Sequence, residues 1–194
     1  MSTARIPATQ ITGVYGALVK RFSKKLLGRV PEPVGVYWHN PAVLKATMGI
    51  GAKSQKWDAC EKSLKSFAHM AVAAQLGCSW CLDFGYFQAS NEHLDLDKAR
   101  EVPRWRQSAA FTPLERAVLG YAEAMTLTPP AVTDEMVAGL RAQLGDAATV
   151  ELTAFIGLAN LNARSNIALG IEAEGYAASC DLAPMASPPL RSQA

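Results

Sequence analysis

The chain is expected to fold as an all-α protein, and three observations carry that expectation. Apolar residues recur at spacings of three and four over several long segments. The ends of those segments carry helix caps and stops. No run alternates apolar and polar residues with period two.

The first element is "YGALVKRFSKKLLG", residues 15–28, amphipathic at helical spacing with Leu18, Phe22 and Leu26, joined by Val19, on one side. No acidic residue precedes Glu32, whereas Arg5, Lys20, Arg21, Lys24, Lys25 and Arg29 do. Such a helix can lie on a membrane or serve targeting. The expectation is instead a helix docked on the body of the protein or on a neighbouring subunit, its basic face solvated.

The second is "DACEKSLKSFAHMAVAAQLG", residues 58–77, with Asp58 and Glu61 in capping-box spacing and Gly77 as the stop. Its apolar positions are Leu64, Phe67, Ala68, Ala71, Val72 and Leu76. In "TPLERAVLGYAEAMT", residues 112–126, Thr112 is the cap, Pro113 the first helical residue and Glu115 the partner that closes the box. "PPAVTDEMVAGLRAQLG" has Thr133 as cap, acids in its first turn and Gly145 as stop. From Asp146 to Gly175 the chain reads as one long buried helix or two abutting ones.

The 194 residues, 49% of them apolar, suffice for one domain with a real core or for two small duplicated halves. An ungapped match of 66–85 with 151–170 supports a faint repeat. It sets Phe67 on Leu152, Ala71 on Ile156 and Gly85 on Gly170, with Ala163 and Asn166 at the positions of Cys78 and Cys81. Chance similarity between two buried helices competes with that reading. The expected organisation is an N-terminal helical arm over 1–40, a helical domain over 41–181 and a loose Pro/Ser-rich tail over 182–194.

A net charge of +2 is too small to argue for nucleic acid. The longest apolar run, Ala68 to Phe87, is interrupted by His69, Gln75 and Asp83, so no membrane span is expected. Four cysteines (Cys60, Cys78, Cys81, Cys180) are too few for a disulfide scaffold, and no signal peptide is legible. The expected location is the cytoplasm, a reducing compartment.

"CSWCLDFG", residues 78–85, is the segment that carries chemistry. On a helix starting near Cys78 the two sulfurs share a face, with the first near the positive end of the dipole, which lowers a thiol pKa. Zinc would need two more ligands at usable spacing; His93, Cys60 and Cys180 do not supply them, and no metal or cofactor is implied. A redox couple and two packed cysteines both remain open at this point.

The long apolar helix ending in Gly77, then "CSWCLDFG", then "LGYAEAMTLTPPAVTDEMVAGLRAQLGDAATVELTAFIGLANLNARSNIALGI", together resemble the carboxymuconolactone decarboxylase family, and within it the alkylhydroperoxidase D-like branch. The resemblance covers roughly Pro41 to Gly175. It implies a helical bundle of that type, homo-oligomeric, whose C-x-x-C cycles between dithiol and disulfide. Carried over, Cys81 would attack a hydroperoxide and Cys78 would resolve it. The branch's full pattern is E-x11-C-x2-C-x3-H, in which carboxylate and imidazole relay protons. Here Ser66 stands at the glutamate position and Gly85 at the histidine position, and neither can act as a base.

Nearby residues offer substitutes for the missing base of Cys81, His69 first because it shares the face of the absent glutamate, with Glu123 behind it. His69 shares a helical face with Ser66 and could approach the cysteines, or be a core histidine with a hydrogen-bonded ring. Asp83 reads as an acid favouring the first turn of its helix rather than a base. Glu123, in apolar surroundings, reads as a relay carboxylate or, preferably, the ion-pair partner of Arg164. Trp80 and Tyr86 border the thiols and could wall a substrate pocket. The expected function is a thiol-dependent oxidoreductase, a peroxidase acting on a small hydroperoxide or a disulfide reductase, with a reducing partner of unknown identity. The alternative is a non-redox, decarboxylase-like enzyme on a small organic acid with structural cysteines; a binding protein without chemistry is a third class.

Overall fold

Helices account for all the regular structure among the described residues of the computed structural model, residues 4–178 and residue 185. In order they are α1 (Gly13–Leu27), α2 (Glu32–Tyr37), α3 (Pro41–Ser54), α4 (Lys62–Leu76), α5 (Ser79–Asn91) and α6 (Leu96–Glu101). A 3-10 turn (Val102–Arg104), α7 (Pro113–Thr126) and α8 (Asp134–Leu169) complete them. The expected tail over 182–194 lies, apart from Met185, outside the described residues, as does Cys180.

Helix α4 is the centre of the bundle, packed against α5, α7, α8 and the 3-10 turn. Leu64, Phe67, Ala68, Ala71 and Val72 are buried as their periodicity requires, and so are Met70 and Ala73. The alanines keep α4 narrow, which lets the neighbouring helices approach closely. A strip carrying Lys62, Ser66 and His69 is left at least partly open to solvent.

Caps decide most boundaries. The Thr112–Glu115 box forms as expected: the Glu115 N–H donates to Thr112 Oγ1 at 3.2 Å, and the Thr112 N–H donates to Glu115 Oε2 at 2.7 Å. Thr133 Oγ1 accepts from the Met136 N–H at 3.3 Å. Gly145 leaves helical geometry with φ 79°, after which α8 runs unbroken to Leu169. The start of α4 differs from expectation. Asp58 is not its cap; Glu61 stands at the cap position without a side-chain bond, and the Ala59 N–H is taken instead by Glu151 Oε2 of α8 at 2.8 Å. A long-range carboxylate has displaced the local box.

The repeat does not extend to helix boundaries. Where Gly77 breaks the chain between α4 and α5, the matched position in α8 is Asn162, and the helix continues through it.

The face that α1 turns to the body also differs. Gly16, Val19 and Ser23 are buried, whereas Leu18, Phe22 and Leu26 are 61%, 57% and 55% exposed. Gly16 explains the choice: a Cβ there would lie 2.9 Å from Ile11 and 3.1 Å from Trp38. The helix therefore seats by its narrow side, with Tyr15 stacked on Trp38 at 5.8 Å, and leaves the bulky residues outside.

Candidate active site

Two adjacent helix ends build the site. Helix α4 stops at Gly77, whose φ of 80° is left-handed and suits glycine. The next N–H, that of Cys78, donates back to the Ala73 carbonyl at 2.9 Å, so Cys78 is held at once as the end of α4 and the N-cap of α5. Its sulfur accepts from the Cys81 N–H at 3.3 Å. Cys78 and Cys81 form a disulfide with their Cα atoms 5.3 Å apart, within the usual span. The two residues are 1% and 2% exposed. On the α8 side the buried Asn166 points its Nδ2 at the Cys81 sulfur, 3.6 Å away.

The chain after α8 straps the outer face of α5. The Ala173 N–H donates to Ser79 Oγ at 3.1 Å, and Trp80 Nε1 donates to Glu174 Oε2 at 2.8 Å. Asp83 accepts from the Tyr176 N–H at 2.8 Å and from the Ala177 N–H at 2.9 Å. Arg29, just beyond α1, holds the strap from outside, donating to the Glu174 carbonyl at 2.6 Å and lying 4.2 Å from the centre of the Tyr176 ring. The Tyr176 hydroxyl is pushed up in pKa by burial.

The other candidate residues are dispersed. Asp83 does not serve the first turn of its own helix; its carboxylate satisfies two amides of the strap, because buried backbone donors recruit the nearest acceptor. Glu123 does not pair with Arg164. Its Oε1 accepts from Trp105 Nε1 at 2.8 Å and its Oε2 from Arg106 at 2.6 Å. Arg164 donates to the Thr126 carbonyl and Thr128 Oγ1 at the end of α7, where exposed carbonyls attract a cation. Trp80 stacks on Phe84 at 4.8 Å under the strap, while Tyr86 is fully buried in the core, its hydroxyl pKa raised by burial.

His69 lies with Ser66 on one face of α4, as its spacing implies, and both line a shallow cleft with Lys62, Lys65, Gln88 and Glu92. Its ring also rests on Gly85: a Cβ added there would meet Nδ1 at 3.4 Å and Met70 Cγ at 3.1 Å. The imidazole thus sits beside the position from which the branch's histidine would project. Burial pulls its pKa down to about 4, so the ring is neutral at physiological pH. A larger cleft of about 200 Å³ is walled by Ala71, Gln75, Arg104, Trp105, Arg106 and Glu123 and excludes both cysteines.

A second polar group lies near the other end of α4. Lys65 Nζ donates to Glu151 Oε1 and to the Trp57 carbonyl, both at 2.6 Å; Lys65 is buried and Glu151 nearly so. Cys60 is a free thiol beside them, pushed up to about 11 by burial, with Glu151 raising it and Lys65 opposing. Neither this pair nor the Asn166–Cys81 contact is legible in the sequence; the repeat aligns Asn166 with Cys81 but gives no reason for contact.

Fold and site define an all-helical C-x-x-C protein, and no helix among the described residues is long and apolar enough to cross a membrane. Residues 41–124 match the model of the carboxymuconolactone decarboxylase family. The uncharacterized protein YnjA of Escherichia coli K12 is 34% identical over 149 residues, 76% of this chain and 82% of that protein. The chain belongs to the carboxymuconolactone decarboxylase family. Its fold is also that of the debrominase Bmp8, solved as a cysteine-to-alanine variant with 2,3,4-tribromopyrrole: TM-score 0.80 at 21% identity, over 93% of this chain and 98% of that one. An AhpD-like protein of unknown function from Agrobacterium tumefaciens matches with a TM-score of 0.64 at 25% identity, over 69% of this chain and 91% of that one.

Proposed function

We propose that the protein is a thiol-dependent oxidoreductase that reduces a small hydroperoxide by cycling Cys78 and Cys81 between dithiol and disulfide. The observation that carries this reading is the disulfide itself, closed at the N-terminus of α5 in a chain of this family. The Cys81 thiolate attacks the terminal peroxide oxygen and breaks the O–O bond, giving a Cys81 sulfenic acid and an alkoxide that takes up a proton. The Cys78 thiol then displaces hydroxide, which leaves as water, and the disulfide closes. An external dithiol, protein or small molecule, restores both thiols by exchange.

The carboxylate and imidazole candidates contribute less than the cysteines. His69 is neutral and can accept a hydrogen bond, but a ring with a pKa near 4 is mismatched to a thiol near 8.5 and stores no proton at pH 7. Both oxygens of Glu123 are engaged in the Trp105 cleft, away from the cysteines. Trp80 is the aromatic we assign to the approach route, since it lies between α5 and the strap.

The debrominase likeness favours a second oxidant for the same pair, a halogenated aromatic. Two thiols supply the electrons that convert C–Br to C–H, releasing bromide and a proton and leaving the disulfide. We also infer a homo-oligomer, because Val14, Leu18, Phe22 and Leu26 form an exposed apolar stripe that a second copy of the chain would cover.

The test is consumption of an organic hydroperoxide by reduced protein with a dithiol regenerant. Cys81→Ser should abolish it, and Cys78→Ser should stop after one event, leaving a sulfenic acid that a dimedone probe traps. Inert thiols towards both hydroperoxide and bromopyrrole would hand the molecule to the non-redox, decarboxylase-like alternative.

A further inference from the structure

The start of α5 treats its two sulfurs unequally. The Cys78 sulfur is an N-cap acceptor, facing the Cys81 N–H at 3.3 Å and the positive end of the helix. Cys81 sits one turn further in and receives less of that field. If Cys81 is the attacking thiol, its charge needs another donor, and the relay residues that would serve are replaced by Ser66 and Gly85.

Asn166 is that donor by position. It is buried on α8, and its Nδ2 lies 3.6 Å from the Cys81 sulfur. The helix end fixes it there: the Ile171 N–H donates to the Asn166 carbonyl at 3.0 Å and the Gly170 N–H to the Ile167 carbonyl at 3.1 Å, a Schellman closure with Gly170 at φ 70°. Ala163, one turn back, is buried and small. A buried amide in such surroundings is retained only with partners. Divalent sulfur in a disulfide accepts weakly, whereas a thiolate accepts strongly, so the contact strengthens when the pair is reduced.

The ionisable groups on the elements around α5 do not replace it. On α4 they are Lys62, exposed in the first turn, Lys65, bound to Glu151, and His69, which is neutral at physiological pH; on α8, Arg164 is bound to the Thr126 carbonyl and Thr128 Oγ1. On α6, Asp97 and Arg100 act on Tyr86, Lys98 is paired with Glu115 and Glu101 with Arg104. Glu174 and Tyr176 of the strap engage Trp80 and Arg29, Asp83 holds strap amides, and Glu92 borders the His69 cleft. Among the described residues no charged side chain is hydrogen-bonded to either sulfur.

We infer that Asn166 is a positioning residue for the redox pair, whose side-chain amide holds the Cys81 sulfur and stabilises its thiolate once the disulfide is reduced. The inference rests on the thiol reading above only for the identity of the attacking sulfur. It assigns to a neutral amide the stabilisation of the thiolate, not the proton transfer that the branch's relay performs.

The experiment is the pH dependence of Cys81 alkylation, read by peptide mass spectrometry in reduced protein carrying Cys60→Ser and Cys78→Ser. Serine is itself a good N-cap residue, so the second change keeps the start of α5 capped. Asn166→Ala should raise the midpoint by about one pH unit, so that alkylation at neutral pH slows about tenfold. Asn166→Asp should raise it further by placing an anion beside the sulfur, and Asn166→Gln should recover part of the shift. Thermal melts identify any variant that fails to fold. A midpoint unmoved by Asn166→Ala and Asn166→Asp in folded protein, or a slowing equal at every pH, overturns the assignment. A moved midpoint without hydroperoxide oxidation upholds Asn166 and sinks only the oxidoreductase reading.

Discussion

Cys60 and the Cys78–Cys81 pair are buried alike, at opposite ends of α4, yet their surroundings are opposite in kind. Cys60 sits beside the Lys65–Glu151 ion pair without a donor aimed at its sulfur among the described residues, and burial drives its pKa up to about 11. Cys78 and Cys81 have no ion pair, but a backbone N–H faces one sulfur and a side-chain amide the other. Burial alone makes a thiol inert. On the proposed function, directed donors rather than nearby charge set the Cys78–Cys81 pair apart from Cys60.

The largest expected effect is on turnover. Cys81→Ser should reduce hydroperoxide consumption to the uncatalysed rate, while Cys60→Ser should leave it unaltered; comparable losses in both would erase the contrast. Next comes stability at the Cys60 end. Glu151→Ala strands a buried ammonium and should cost about 3–5 kcal/mol in denaturant unfolding. Lys65→Met with Glu151→Leu should recover most of that, because both charges leave together.

Acid should sharpen the comparison further. The His69 pKa is lowered from 6.5 to about 4 on folding, so the unfolded chain binds more protons between those values. The associated stability is complete above about pH 6.5 and is lost as pH falls towards 4. Unfolding titrations of His69→Gln should lack that acid limb. The smallest effect concerns the strap. Asp83→Ala leaves the Tyr176 and Ala177 amides without their acceptor and should cost about 1–3 kcal/mol. It should also speed reduction of the disulfide, and unchanged reduction would show that the strap does not guard the sulfurs.

Local signals are legible in the sequence and long-range ones are not. Gly77, Gly145, Thr112 with Pro113 and Glu115, and Cys78 at the head of α5 each act within a few residues, where spacing speaks directly to geometry. The Asn40 cap of α3 and the Asp95 cap of α6 are equally local, but α3 buries only Leu44 and Ser54 and α6 is six residues long, so neither carries an apolar stripe that marks its start. By contrast Lys65–Glu151 and Asn166–Cys81 join residues more than eighty positions apart, and no periodicity encodes which helix faces meet. The outward face of α1 escapes the sequence for the same reason. Its pattern marks an apolar side, but only packing against Ile11 and Trp38 reveals that a narrower side seats better. Glu123 finds Trp105 and Arg106 because the 3-10 turn brings them to α7, a proximity that the sequence order conceals.

The most direct measurement of the central claim is a quenched-flow, isotope-coded thiol map of the reduced protein after one equivalent of an organic hydroperoxide. Cys78 and Cys81 should be lost together as a single peptide two hydrogens lighter, while Cys60 stays fully alkylatable after denaturation. Oxidation of Cys60 at a matching rate, or a Cys78–Cys81 peptide that keeps both thiols, would contradict it.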